Sequence, residues 1–166
     1  MAKKIVIWPD KVLTTAAKPV TEFGEKLEPL LAEMLESVKE AEGIGIAAPQ
    51  IGVPLKLALV GRSDGTFFEI ANPEILSQSE EVGLREGCLS VPGEYDICPR
   101  FRKVGVKFQD RTGAWQELEA EDHLAHVLQH EIDHLLGTVF VMRLSALKRD
   151  LMRNKMKRIQ RFEKDK

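Results

Sequence analysis

The stretch Gln129-His130-Glu131-Ile132-Asp133-His134-Leu135-Leu136-Gly137 carries the pattern H-E-x-x-H. Residues four positions apart share one face of a helix, so His130 and His134 can converge on a single metal ion while Glu131 reaches a water beside it. Apolar residues recur at helical spacing around the pattern, at positions 124, 127, 128, 132 and 135. They predict a buried helix that Gly137 ends, and the rest of the fold is expected to surround this helix.

A catalytic metal ion needs a third protein ligand, and its identity decides the kind of enzyme. No histidine follows His134, and the only later glutamate, Glu163, lies in a basic segment. His126 lies one turn before His130, but the rise from His126 to His134 is roughly 12 Å, too far for one ion to bridge. Cys88, in the segment 85–92, is the candidate that the sequence offers, and its thiolate suits a soft metal site.

Three motifs stand out along the chain. They are Gly43-Ile44-Gly45-Ile46-Ala47-Ala48-Pro49-Gln50, of the form G-x-G-x-A-A-x-Q, then Glu86-Gly87-Cys88-Leu89-Ser90, and finally His130-Glu131-Ile132-Asp133-His134-Leu135. Intact and in this order, they resemble the motifs of the peptide deformylases, which remove the N-formyl group from nascent bacterial-type proteins. The resemblance covers nearly the whole chain.

The resemblance implies a hydrolase that removes the formyl group from the N-terminal formyl-methionine of newly synthesised polypeptides and releases formate. It implies that Cys88, His130 and His134 hold one divalent metal ion. Iron(II) is the expected native metal, with zinc, nickel or cobalt able to replace it. Glu131 is expected to act as the general base.

The same resemblance assigns the remaining residues of the site. Gln50 and the backbone N–H of Leu89 are expected to form the oxyanion hole, which stabilises the charge on the formyl oxygen. The expected substrate contacts are Gly43, Ile44, Gly45, Arg100, His126 and Val127.

Two of these residues keep alternatives open. Arg100 is either a contact to the substrate backbone or a solvated surface charge. His126 departs from the family, in which an apolar residue lines the pocket for the methionine side chain. It is a polar wall of that pocket, an outer partner of a ligand histidine, or an exposed residue turned away from the pocket, and we favour the wall.

Length and composition favour a single domain over residues 1–166, with one core. A net charge of −2 argues against a general nucleic-acid binder, and no segment is long enough to span a bilayer. Pro9-Asp10 interrupts the only apolar patch near the start, which predicts no signal peptide. Cys88 and Cys98 are expected to be reduced thiols of a cytoplasmic protein, and a monomer is expected.

The predicted fold is α+β, with short antiparallel strands wrapped around the central metal-binding helix and with N-terminal and C-terminal helices. Helical spacing over 27–38 predicts the first of these helices, and Ser145 is placed to cap the last. Strands are predicted at 55–60, 66–70, 104–108 and 114–118.

From Arg143 onward, lysine and arginine outnumber the acids. A basic helix of this kind is either a solvated face or, as in bacterial deformylases, a ribosome-docking element attracted by phosphate-rich RNA.

Two competing classes remain. A metallopeptidase that cuts ordinary peptide bonds would share the metal and Glu131 but would need an extended substrate groove. A binding module would hold a closed structural metal site, with Cys98, His123 or His126 as the fourth ligand.

Overall fold

The structure is a computed structural model and describes residues 1–165. Within these residues it contains three α-helices and five β-strands, which confirms the α+β class. The helices are α1 (Glu28–Glu40), α2 (Asp122–Leu135) and α3 (Ala146–Lys164). The strands are β1 (Gly45–Ala47), β2 (Leu57–Gly61), β3 (Phe67–Cys88), β4 (Val91–Gln109) and β5 (Trp115–Glu121). The single domain over 1–166 extends to Lys166, outside the described residues, and stays a prediction.

The strands form one antiparallel sheet in the order β1-β2-β3-β4-β5, so each strand pairs with its neighbour in the chain. β3 and β4 are 22 and 19 residues long, longer than the short strands predicted. Their pairing shifts between Ala71 and Glu74 and again between Ile75 and Ser77. The polar run 77–81 and these irregularities hide the period-two pattern of a strand, so the sequence shows only its ends.

The metal helix predicted from the sequence is α2, and it packs against the sheet. Val127, Leu128 and Ile132 lie in one core cluster with Val60 and Val106 of the strands. Gly137 follows the helix with a φ of 81°, the left-handed conformation that glycine adopts without strain. The helix is therefore buried along the stripe that its sequence predicts.

The other two helices cover the edges of this core. α1 buries Leu31, Met34 and Val38 against the start of the sheet. α3 buries Met152 and Met156 in a further cluster with Ile7, Trp8 and Leu13, which belong to the N-terminal arm, the segment that precedes α1. The hydroxyl of Ser145 accepts a hydrogen bond from the backbone N–H of Lys148 at 3.3 Å, which confirms the predicted cap. None of the described helices combines the length and the apolar run needed to cross a bilayer.

Candidate active site

Three ligand atoms meet where the end of β3 approaches α2. Sγ of Cys88 lies 3.3 Å from Nε2 of His134, which in turn lies 3.2 Å from Nε2 of His130. All three atoms lie within 4.8 Å of one another. The spacing of four residues brings the two imidazoles to one face of α2, and the β3–β4 hairpin carries the thiol to them. The structure thus brings together the three ligands that were predicted.

The hydrogen bonds around these atoms fit a divalent cation. Nδ1 of His130 contacts a carboxylate oxygen of Glu86, which orients the ring so that Nε2 faces the other two ligand atoms. Burial lowers the pKa of His130, but Cys88, Glu86 and Glu131 outweigh burial and hold that pKa well above its usual value, and a bound cation would take the place of the proton on Nε2. Burial holds the pKa of His134 well below its usual value, which favours the neutral ring that a metal ligand requires. The backbone N–H of Ser90 donates a hydrogen bond to Sγ of Cys88 at 3.4 Å. A sulfur and two imidazole nitrogens form a donor set that suits a first-row metal ion.

Glu131 lies beside this group and is almost completely enclosed, with 1% of its surface exposed. Its Oε1 is 3.9 Å from Nε2 of His130, and within residues 1–165 neither carboxylate oxygen has a hydrogen-bond partner. Burial raises the pKa of Glu131 to about 7, against the opposing charge of His130. A carboxyl with this pKa can both accept and return a proton near neutral pH.

Gln50 is held in a fixed orientation within a short 3₁₀ turn after β1. Its Oε1 accepts a hydrogen bond from the backbone N–H of Ala47 at 2.9 Å, so its Nε2 is the donor that points toward the ligand group. That Nε2 donates to Oγ of Ser90 at 3.2 Å and lies 3.6 Å from Sγ of Cys88. Leu89 and Ser90 form the turn that joins β3 to β4. The amide of Gln50 and the turn at Leu89 therefore border the same ligand group.

The N-terminal arm connects the segment that contains Gln50 with the segment that contains Ser90. The backbone N–H of Val6 donates to the carbonyl of Gln50 at 2.7 Å, and that of Trp8 donates to the carbonyl of Ser90 at 2.9 Å. Between them, the carbonyl of Ile7 accepts a hydrogen bond from Nε2 of Gln160 in α3 at 2.9 Å. The arm thus acts as a strap, held from behind by α3.

A cleft of about 450 Å³ opens onto the ligand group. Its walls include Gly43, Ile44, Gly45, Gln50, Glu86, Cys88, Leu89, His126, Val127, His130 and Glu131. Every predicted substrate contact except Arg100 lies in this wall.

Arg100 corrects the sequence interpretation, because it is neither a surface charge nor part of the cleft wall. Its residue surface is 4% exposed, and its Nε and Nη2 donate to the carboxylate of Glu86 at 2.9 and 2.6 Å. Its Nη1 donates to Asp133 at 2.6 Å, and Asp133 also accepts two hydrogen bonds from Arg143. The two buried carboxylates require a cation between them, which explains the position of Arg100.

Glu86 is the functional residue that sequence reasoning missed. Burial raises the pKa of Glu86, but hydrogen bonds from His126, His130 and Arg100 outweigh burial and hold that pKa far below its usual value. The signal was present, since an acid within a cysteine-ligand motif is a candidate partner for a ligand histidine.

His126 combines two of its three interpretations. It lines the cleft, with 17% of its side chain exposed, and its Nε2 lies 2.9 Å from Oε2 of Glu86. Because Glu86 also contacts Nδ1 of His130, His126 is linked to a ligand histidine through this carboxylate. The interpretation in which His126 turns away from the cleft is wrong.

Cys98 does not pair with Cys88, since both thiols are free. Cys98 lies in the core between β4 and α3, and burial raises its pKa to about 12. A thiol that stays protonated in an apolar core is a packing residue rather than a ligand.

The comparisons with known proteins converge on one family. A family model described as polypeptide deformylase matches residues 2–150. The peptide deformylase of Acidobacterium capsulatum is 44% identical over 97% of both chains, and that of Helicobacter pylori strain G27 is 41% identical over 98% of both. The crystal structure of a peptide deformylase from Legionella pneumophila matches with a TM-score of 0.91 and 44% identity, covering 100% of this chain and 99% of that one. The Ehrlichia chaffeensis peptide deformylase in complex with actinonin matches with a TM-score of 0.91 and 37% identity, over 96% of this chain and 98% of that one.

Proposed function

Because the chain belongs to the polypeptide deformylase family, we propose that it hydrolyses the formyl group of N-terminal formyl-methionine on newly made polypeptides and releases formate. The observation that carries the proposal is the convergence of Cys88, His130 and His134 at a cleft where Glu131 is buried without a hydrogen-bond partner among the described residues. Such a cleft supports hydrolysis of an amide.

Cys88, His130 and His134 would hold the metal ion, leaving a fourth coordination position open to the cleft. When bound, a divalent cation supplies charge that lowers the pKa of a water molecule and polarises a carbonyl group. The thiolate and two imidazoles suit zinc or another first-row ion, and the resemblance to the deformylases favours iron(II) as the native metal, with zinc, nickel or cobalt as substitutes.

Glu131 is the proton carrier of the proposed reaction. Its carboxylate accepts a proton from the attacking water, a role for which its burial beside the ligand group without a competing hydrogen-bond partner among the described residues leaves it available. The carboxyl then donates this proton to the nitrogen of the leaving amine, so that the amine departs neutral. Formate and the free N-terminus are the products.

Gln50 and Leu89 supply the donors for the charge that develops on the formyl oxygen. The bond from Ala47 to Oε1 of Gln50 fixes the amide so that Nε2 faces the ligand group. The backbone N–H of Leu89 lies in the adjacent turn. Donors that are oriented before the reaction stabilise the oxyanion without the cost of reorganisation.

The start of β1 supports binding of an extended peptide. β1 is an edge strand of the sheet, and Gly43, Ile44 and Gly45 line the cleft at its beginning. A peptide that pairs with such an edge gains backbone hydrogen bonds without depending on its sequence. Val127 and His126, from α2, would then border the methionine side chain.

The competing classes are less well supported. A metallopeptidase is not favoured, since the relatives that match the whole chain are named peptide deformylases. A structural metal site needs four protein ligands. Within the described residues, Cys98, His123 and His126 do not join the group of three.

We propose a contact between α3 and ribosomal RNA. The helix carries Lys148, Arg149, Arg153, Lys155, Lys157, Arg158, Arg161 and Lys164 against only Asp150 and Glu163. Leu147, Leu151 and Phe162 are exposed on the same helix. Basic side chains on such a surface are attracted to the phosphates of RNA, and this attraction weakens as the salt concentration rises. The enzyme would be a cytoplasmic monomer, a setting in which Cys88 and Cys98 stay reduced.

The decisive experiment joins metal analysis of anaerobically prepared protein with formate release from formyl-Met-Ala-Ser. We expect about one metal ion per chain, as the single three-ligand group among residues 1–165 implies, and stoichiometric release of formate. Unformylated Met-Ala-Ser is the control and should stay intact. Cleavage of the control peptide without formate release would instead identify a metallopeptidase.

A further inference from the structure

The carboxylate of Glu86 is saturated with hydrogen bonds. Its Oε1 accepts from Nη2 of Arg100 at 2.6 Å and contacts Nδ1 of His130. Its Oε2 accepts from Nε of Arg100 at 2.9 Å and lies 2.9 Å from Nε2 of His126. A carboxylate offers about four lone-pair sites, so these four contacts fill it.

We propose that His126 is a positioning residue of the metal centre. Its Nε2–H donates to Oε2 of Glu86 and so keeps Oε1 directed at Nδ1 of His130, which aims Nε2 of His130 at Cys88 and His134. This inference rests on the proposed metal-dependent function, but it concerns how firmly the ion is held.

The position of His126 makes it the adjustable member of the four contacts. Arg100 lies behind Glu86 and is anchored again by Asp133, whereas His126 stands in the cleft wall. With an apolar residue at 126, Arg100 would be the remaining hydrogen-bond donor to Oε2 of Glu86. The second lone pair of Oε2 would then face solvent in the cleft. The carboxylate could then tilt toward that solvent and away from His130. Outer partners of ligand histidines typically contribute 10- to 100-fold in metal affinity.

The packing around His126 separates this role from simple filling of the core. Ala125 and Val127 are buried in the core cluster, whereas the imidazole of His126 is partly exposed in the cleft. Replacing it by leucine should therefore leave the fold intact, and the lost hydrogen bond is the main change.

The test compares His126→Leu with His126→Gln, whose amide nitrogen can replace Nε2 as a donor. The matched control is His123→Leu, an exposed histidine on the same helix. Cobalt(II) affinity and dissociation rate are measured by competition with a chelator, in the absence of substrate. We expect His126→Leu to bind cobalt(II) about tenfold more weakly, and His126→Gln and His123→Leu to stay within about twofold of the parent protein.

A second readout follows the hydrogen bond itself. In the metal-free protein, the Nδ1–H proton of His130 should give a protected, strongly shifted NMR signal, because Glu86 accepts from it. In His126→Leu we expect this signal to shift upfield and to exchange faster with water, and in His126→Gln we expect it to be restored.

Equal cobalt(II) affinity for His126→Leu and the parent protein would overturn the inference. So would an equal loss in the leucine and glutamine variants, since shape rather than the hydrogen bond would then be responsible. A parent protein that binds cobalt(II) but releases no formate from formyl-Met-Ala-Ser would refute the proposed function while leaving this inference intact.

Discussion

Glu131 lies so close to the backbone of Gly45 that a Cβ atom at residue 45 would be 3.0 Å from Oε2 of Glu131 and 3.1 Å from the carbonyl oxygen of Leu59. Because Gly45 has no side chain, the start of β1 leaves room for the buried carboxylate of Glu131. The G-x-G motif and the H-E-x-x-H motif, distant in sequence, meet at this contact.

Gly45→Ala should displace the Glu131 carboxylate from its position beside the ligand group. We expect kcat to fall by about tenfold or more, with metal content unchanged. The check is formate release in a double-mutant cycle with Glu131→Gln. If Gly45 acts through Glu131, the alanine costs little more once the carboxylate is gone. An equal loss in both backgrounds would mean that the alanine acts elsewhere, for example on substrate binding.

Glu131→Gln should keep the fold and the metal while deformylation falls at least about a hundredfold, because a general base is lost. Circular dichroism and metal analysis serve as controls alongside the kinetic assay. Turnover close to that of the parent protein would refute the role of Glu131 as proton carrier.

Cys88→Ala should lose metal and activity together, whereas Cys98→Ala should retain both, since only the first thiol lies among the ligand atoms. Peroxide should inactivate the iron form, because a partly exposed sulfur at the metal, or the metal itself, is oxidised more readily than a protonated thiol in the core. Metal analysis before and after peroxide checks both expectations. If Cys98→Ala lost the metal and Cys88→Ala kept it, Cys98 rather than Cys88 would be the metal ligand.

Charge reversal on α3 should weaken association with ribosomes without affecting peptide turnover. Removal of the residues after 154 is a poor test, since it takes away Met156, which is 1% exposed in the core. Lys157→Glu with Arg161→Glu changes two exposed residues instead, and Lys26→Glu with Lys39→Glu is a control of equal charge. Co-sedimentation at low and high salt should show a salt-sensitive loss for the α3 pair only. Equal binding by both pairs would exclude α3 as the docking surface.

Glu69 should make stability depend on acid pH. Burial raises its pKa, but hydrogen bonds from Arg111 outweigh burial and hold that pKa below 4.5. The stabilisation is therefore present above about pH 4.5 and is lost as the pH falls through the lower value in the folded protein. Glu69→Gln should cost about 1 kcal/mol at pH 7 and progressively less below pH 4.5, measured by urea unfolding. A cost that stays constant with pH would contradict this.

The meeting of His130 and His134 at one point could be predicted because local geometry determines it. The spacing of His130 and His134 within a helix fixes their shared face, whatever the rest of the fold does. Cys88 is predicted from the lack of another suitable ligand and from the motif around it, and the structure places its Sγ at the end of β3, 3.3 Å from Nε2 of His134.

The environment of Arg100 could not be predicted, because its partners come from distant parts of the chain. Glu86 lies on the paired strand and Asp133 on α2, and nothing in the local sequence of Arg100 points to either. The full length of β3 and β4 could not be predicted for a related reason. Register shifts around Glu74 break the alternation of apolar and polar residues on which strand prediction depends.

The strap that joins the segments of Gln50 and Ser90 sets an order on the folding of the chain during its synthesis. Ile7 and Gln160 are 153 positions apart, so their hydrogen bond can form only after nearly all of the described chain has been translated. Until then, Val6 and Trp8 have no α3 behind them as they approach Gln50 and Ser90. The contact that supports the segments of Gln50 and Ser90 from the side of α3 is thus completed late in translation, after most of the sheet has been made.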